Sequence, residues 1–198
     1  MLEIVLASTN PGKIAEIKAL LSDLPIKIIP QTEFEMPEVE ETGTTFVENA
    51  IIKARHAAKY SGLPAIADDS GLTVDALGGA PGVRSSRYAG KNASDEERIA
   101  KLLLELKKSG KDDRDACYHC VIALMGTETE PAQLLCHGIW EGEILEAPRG
   151  TKGFGYDPIF YVPTHECSAA ELDEEEKNAI SHRGQAIEQL LDVLEEIV

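Results

Sequence analysis

Asp68 and Asp69 close a short apolar run, Ala65-Ile66-Ala67, which follows Pro64 and reads as a buried strand. Charged side chains are seldom buried unless they are paired or hold a metal. Strand ends are also where α/β proteins gather their chemistry. Two adjacent carboxylates at such a place could hold a divalent cation or take a proton from water. Ser70 and Gly71 are expected to turn the chain into a second alternating strand, Leu72 to Ala76. Asp, Ser and Gly are turn formers, so a plain polar β-turn is the competing reading.

Other polar groups bear on that choice. Ser8-Thr9-Asn10-Pro11-Gly12-Lys13 lies between a short apolar strand and a helical repeat of Ile14, Ile17, Leu20 and Leu21. Backbone N–H groups and the helix dipole face an anion in that arrangement, and Lys13 adds a full positive charge. The loop is not a Walker A motif, because the first glycine and the Ser/Thr after the lysine are missing. An acidic loop from Glu33 to Glu41 contains Glu35, Glu38, Glu40 and Glu41. A glycine-rich stretch, residues 150–158, sets Phe154 and Tyr156 among glycines, ahead of Asp157 and Pro158.

The elements that must position these groups alternate between strand and helix. Leu2 to Ala7 and Ile26 to Ile29 are expected strands. Thr45-x-x-Glu48 is a capping-box pattern opening a helix to about Tyr60, with Phe46, Ala50, Ile51, Ala54, Ala57 and Ala58 on its apolar stripe. Lys53 and Arg55 fall off that stripe, and a solvated face accounts for Arg55. Gly78-Gly79-Ala80-Pro81-Gly82 is a tight loop leading to Arg84, Arg87 and Tyr88. Ser94-x-x-Glu97 caps a further helix with Ile99, Leu102, Leu103 and Leu106 inward. Ala116 to Met125 and Gln133 to Ile144 are expected to form an antiparallel pair, with Gly126 to Pro131 as the turn. Ser168 to Ile180 is expected as an acidic helix containing Lys177. Ser181-His182-Arg183-Gly184 interrupts it before a terminal helix with Ile187, Leu190, Leu191 and Leu194.

Composition bounds the function. With 198 residues, 43% hydrophobic and 27% charged, the chain suits one globular domain. No apolar run approaches the roughly 18 residues of a membrane span, and no basic segment precedes the first apolar run, so a cytoplasmic location is expected. A formal net charge of -16, from 19 basic and 35 acidic residues, disfavours nucleic-acid backbones and anionic membranes as partners. A small anion would need a local basic pocket or a bridging cation. Cys117-x-x-Cys120, with Cys136-His137, invites a zinc reading, but residues three apart in a strand point to opposite faces. Buried, reduced thiols are expected instead.

Six motifs occur in order: Ser8 to Lys13, Glu41 to Ala50, Ala67 to Gly71, Leu77 to Gly82, Gly153 to Pro158, and Glu176 to Arg183. Together they resemble the inosine/xanthosine triphosphate pyrophosphatases, house-cleaning enzymes that act on deaminated purine nucleotides, and the bacterial branch in particular. The resemblance runs from residue 4 to about residue 190. It implies an elongated α/β fold of two lobes, a long central mixed sheet flanked by helices, an active-site cleft between the lobes, and a homodimer. It implies hydrolysis of ITP, dITP and XTP to monophosphate and pyrophosphate with Mg²⁺. The metal set it suggests is Glu41, Asp68 and Asp69, with Glu38 and Glu40 nearby.

Roles follow from the chemistry. Asp69 is expected to act as general base on the water attacking the α-phosphorus. Lys13 and Lys53 would offset charge on the leaving pyrophosphate. Ser8, Thr9, Asn10, Pro11, Gly12 and Ser70 complete the expected phosphate contacts. Phe154 offers a stacking face, with Gly155 and Tyr156 beside it. Asp157 can accept purine N–H groups, and Lys177, His182 and Arg183 can donate toward a 6-oxo group. Adenine presents an amino donor there, so a donor-lined pocket would reject it. A pyrophosphatase for modified pyrimidines, a stepwise phosphatase, or a non-catalytic nucleotide sensor are the alternatives.

Overall fold

The structure is a computed structural model that describes residues 2–126 and 134–197. Seven strands form one mixed sheet: β1 (Leu2–Leu6), β2 (Ile26–Pro30), β3 (Ala65–Val74), β4 (Asp115–Met125), β5 (Leu134–Ile144), β6 (Phe160–Val162) and β7 (Cys167–Ser168). Their order is β2-β1-β3-β4-β5-β6-β7. β1 lies parallel to β2 and β3, whereas β6 lies antiparallel to β5 and β7. Among the described residues five α-helices accompany the sheet: α1 (Pro11–Leu20), α2 (Phe46–Ser61), α3 (Asp95–Ser109), α4 (Glu174–Ile180) and α5 (His182–Ile197). The expected α/β fold with a mixed central sheet is what the chain forms. No helix among the described residues is long and apolar enough to cross a membrane.

Two compact units divide the described residues. The first draws on Met1–Asp69, Cys120–Gly138 and His182–Val198, the second on Ser70–His119 and Ile139–Ser181. In the first unit the strand period of two sorts the core into two layers. Ile4, Leu6, Ile66, Cys120, Ile122 and Leu124 pack with Ile17 of α1 and Ile187 and Leu190 of α5. Val5, Ala65, Ala67, Val121, Ala123 and Met125 pack with Ala50, Ala54, Ala57 and Ala58 of α2. The alanines let α2 approach the sheet closely. The second unit has its own core, in which Ile99, Leu102 and Leu106 of α3 meet Tyr118, Trp140 and Phe160.

Three expectations are corrected. The chain does not turn at Ser70-Gly71: β3 runs without a break for ten residues to Val74. β1 leaves the sheet after its last bond, from the Ala7 N–H to the Ile66 carbonyl at 2.8 Å. β4 remains the neighbour of β3 on the other side, so β3 can continue. The reversal falls instead at Asp75 to Gly79, where Gly78 and Gly79 take φ of 63° and 86° and the Gly79 N–H bonds to the Val74 carbonyl. The acidic helix begins at Glu174, not Ser168. Asp173 and Glu176 form the capping box that starts it, while Ser168 pairs with Tyr161 in the sheet. Only Ser181 interrupts the last two helices, since His182 already opens α5. The expected turn at Gly126 to Pro131 lies, beyond Gly126, outside the described residues.

Candidate active site

Strand parity explains where the two acids go. Asp68 continues the series Leu6-Ile66 toward α1 and α5, and Asp69 continues Ala65-Ala67 toward α2. Both are buried, at 1% and 6% exposure. Each therefore meets a different set of partners, on a stretch of β3 that has outrun β1.

On the first face, Asp68 Oδ2 is 2.7 Å from Lys13 Nζ of α1 and 3.3 Å from Arg183 Nη2 of α5. Arg183 Nη1 also pairs with Glu16, one turn beyond Lys13. Burial alone would raise the Asp68 carboxyl. The Lys13 ammonium and the Arg183 guanidinium outweigh it and hold the carboxyl far below its ordinary value. Arg183 is raised in turn: its own burial works against the charge, and Asp68 and Glu16 overcome that. Behind them the Cys120 thiol is pushed up to about 12 by burial and stays protonated. Cys117, three residues earlier on β4, faces the other way, and none of the four cysteines is in a disulfide.

On the second face, Lys53 Nζ of α2 lies 2.7 Å from Asp69 Oδ1 and 3.0 Å from Glu41 Oε1. Asn49, one turn earlier on α2 and fully buried, donates from Nδ2 to Asp69 Oδ2 at 3.4 Å. Lys53 is thus no part of a solvated face, unlike Arg55, which is exposed. Burial raises the Asp69 carboxyl; Lys53 and Lys13 oppose the shift, Glu41 adds to it, and the net direction is up. Lys53 is itself raised: desolvation favours its neutral form, but Asp69, Asp68 and Glu41 favour the charge more.

The polar loop before α1 is tied down by its own residues. Asn10 is the N-cap, and its Oδ1 accepts the Gly12 and Lys13 N–H groups at 2.9 and 3.2 Å, with Pro11 at the first helical position. The Asn10 N–H reaches Ser8 Oγ at 3.3 Å. Ser8 is buried, while Thr9, Asn10 and Pro11 are exposed. An anion arriving here meets Thr9 and Lys13 first and competes with Asn10 for the backbone donors.

The second unit holds the aromatic loop. Gly153 and Gly155 take φ of 71° and 65°, so Phe154 stands between two left-handed residues. Asp157 Oδ2 accepts the Phe154 N–H at 3.0 Å and the Lys177 ammonium at 2.8 Å, and its Oδ1 accepts the Tyr118 hydroxyl at 3.2 Å. Lys177 Nζ also lies 4.8 Å from the Phe154 ring centroid, within cation–π range. Tyr156 is buried and donates its hydroxyl to the Ser85 carbonyl at 2.8 Å. Ser70 is half-buried on β3.

The expected residues thus fall into three groups. Lys13, Asp68 and Arg183 form one, Glu41, Lys53 and Asp69 another, and Phe154, Asp157 and Lys177 the third. Lys53 also feels the charge of Asp68, so the first two groups are electrostatically linked. Glu16, Asn49 and Tyr118 complete the groups and were not anticipated. Asn49 and Glu16 were detectable as polar residues four positions before Lys53 and three after Lys13, on the same helix faces. With Glu16 and Glu41, Asp68 and Asp69 make four carboxylates against the three cations Lys13, Lys53 and Arg183, so the two groups suit a triphosphate only with a bridging cation. Glu41 and Asp69 already converge on one cationic nitrogen, and such oxygen donors are what Mg²⁺ takes. Among the described residues no cluster of three or more His, Cys, Asp or Glu could hold a metal unaided. Phosphate oxygens and water would have to complete the shell.

A strand-borne acid pair with lysine partners, on a mixed α/β sheet with a Gly-Phe-Gly loop, defines a nucleotide-processing class. Residues 4–193 match the Ham1 family, and the chain belongs to it. A dITP/XTP pyrophosphatase of Coxiella burnetii is 69% identical over 196 residues, covering 99% of this chain and 98% of its relative. A solved HAM1 protein from Coxiella burnetii superposes with TM-score 0.94 at 69% identity, over 99% of this chain and 100% of that one. The Staphylococcus aureus Ham1 protein gives TM-score 0.88 at 47% identity, with the same coverage.

Proposed function

We propose that this chain hydrolyses dITP, ITP and XTP to the monophosphate and pyrophosphate, as a Mg²⁺-dependent cytoplasmic homodimer whose 198 residues act as one catalytic domain. The names of its relatives support the substrates, and the motif resemblance supports the dimer and the metal. The observation that carries the chemistry is Asp69: a buried carboxylate with a raised pKa, anchored by Asn49 and Lys53. Asp69 takes a proton from a water, the water oxygen bonds to the α-phosphorus, and the bond to the bridging oxygen breaks as pyrophosphate leaves. Glu41 and Asp69 would hold Mg²⁺, which would offset the triphosphate charge as a Lewis acid. Asp68 orients Lys13 toward the phosphates, and Lys53 adds positive charge beside the base. Phe154 stacks on the purine. Asp157 accepts from its N–H edge and Lys177 donates toward the 6-oxo group, while Arg183 is committed to Asp68 and Glu16.

The test is a nucleoside triphosphate panel with Mg²⁺, scored separately for pyrophosphate and orthophosphate, on the wild type and Asp69→Asn. Pyrophosphate release from dITP and XTP ahead of ATP is expected. Asp69→Asn should lower kcat by about 10²–10⁴-fold in a protein that remains folded at the assay temperature. Orthophosphate as the first product, or near-normal turnover of the variant, would overturn the reading.

A further inference from the structure

We propose that Asp95, outside every group described so far, is a positioning residue that holds the Phe154 platform in its base-reading conformation. Asp95 opens α3, whose capping box is made by Ser94 and Glu97 and leaves the Asp95 side chain unused. That side chain reaches a loop sixty residues away: its Oδ2 accepts the Gly155 N–H at 2.7 Å. Its Oδ1 pairs with Arg98, and Arg98 Nη2 donates to the Ala93 carbonyl at 2.7 Å. One carboxylate oxygen thus faces Arg98 and the other the loop.

The loop needs such a hold. Left-handed glycines on both sides of Phe154 make this stretch of backbone conformationally permissive. Two consecutive N–H groups are captured by two different carboxylates, that of Phe154 by Asp157 and that of Gly155 by Asp95. Hydrogen bonds to an ionised acceptor are about twice as strong as neutral ones. Asp157, itself held by Tyr118 and Lys177, fixes the Phe154 side of the turn and leaves the Gly155 side to a second acceptor. The Asp95 bond ties it to α3, which is fixed in the core through Ile99, Leu102 and Leu106. Tyr156, bonded to Ser85, supplies a further external tie. Phe154 then stands with its ring 4.8 Å from Lys177 Nζ, and holding a binding group in one conformation lowers the cost of binding.

The proposal rests on the reading of residues 154–157 as the base platform, and the experiment separates the two. Steady-state kcat and KM for dITP are measured on the full chain for the wild type, D95A, D95N, R98A and F154A. D95A is expected to raise KM about tenfold, with kcat held within about threefold, as displacement of a binding group does. D95N still presents an amide oxygen to the Gly155 N–H, and R98A leaves Asp95 in place, so both should stay within about threefold of wild-type KM. An unchanged KM in D95A, a loss confined to kcat, or equal effects in D95A and R98A would overturn the proposal. If F154A leaves KM unchanged, the platform reading falls first; if F154A raises KM and D95A does not, only the role of Asp95 falls. Should D95A fail to fold, amide hydrogen exchange decides. The Gly155 amide should be protected in the wild type and R98A, and rapid exchange there would overturn the assignment.

Discussion

Replacing Asp157 by Asn tests whether the second unit depends on a buried charge. Asp157 is 3% exposed and Lys177 7%, with 2.8 Å between their charged atoms. Asn is nearly isosteric, so the Phe154 N–H can still be accepted, and the Tyr118 hydroxyl can rotate to accept from the new amide. What is lost is the counter-charge of a buried ammonium. Removing one partner of a buried pair costs about 3–5 kcal/mol, and the retained hydrogen bonds place Asp157→Asn near the lower end. For a chain of this length melting as one unit, about 3 kcal/mol corresponds to a melting point lower by about 6–12 °C. The assay is calorimetric melting of the wild type, D157N, K177M and the double variant at neutral pH, with kcat/KM for dITP alongside. Because the double variant no longer buries the ammonium, it should be more stable than the sum of the single effects requires, by at least about 1.5 kcal/mol. A D157N protein that melts within about 2 °C of wild type, or strictly additive effects, would refute the reasoning.

Three further outcomes are expected. Lys13→Ala should lower kcat/KM for dITP, XTP, GTP and ATP alike, by about 10²-fold, because every triphosphate shares the contact; a loss that differs strongly between bases would remove Lys13 from the phosphate site. Gly153→Ala should weaken dITP binding and stability together, since a Cβ there would lie 2.2 Å from Asp157 Oδ2 on a backbone with φ of 71°; wild-type KM and melting would contradict the loop geometry. Asp68 has a folded pKa depressed below its ordinary 3.8, so its ionised form stabilises the fold fully above about pH 4 and the contribution fades as the pH falls. The melting difference between the wild type and Asp68→Asn should therefore shrink between about pH 5 and pH 2, and a constant difference would show that the Lys13 and Arg183 pairs do not stabilise the fold.

Local chemistry alone was enough for much of this protein. The alternation of strand and helix, the capping boxes at Thr45 and Ser94, and the glycine-flanked Phe154 depend on residues within a few positions of each other, so sequence reveals them. The six ordered motifs likewise carried the family. What sequence did not disclose was the path of β3 through Ser70 and Gly71. Those are turn residues by propensity, and only the neighbouring β4 keeps them extended. With the strand unbroken, its parity sends Asp68 and Asp69 to opposite faces, and two adjacent acids acquire opposite pKa shifts. Arg183 stands 115 residues from Asp68 and 167 from Glu16, and Asp95 sixty from Gly155. No local periodicity encodes such pairings. They exist because the packed helices and strands bring buried charges within reach of one another, where low dielectric makes each depend on its partner.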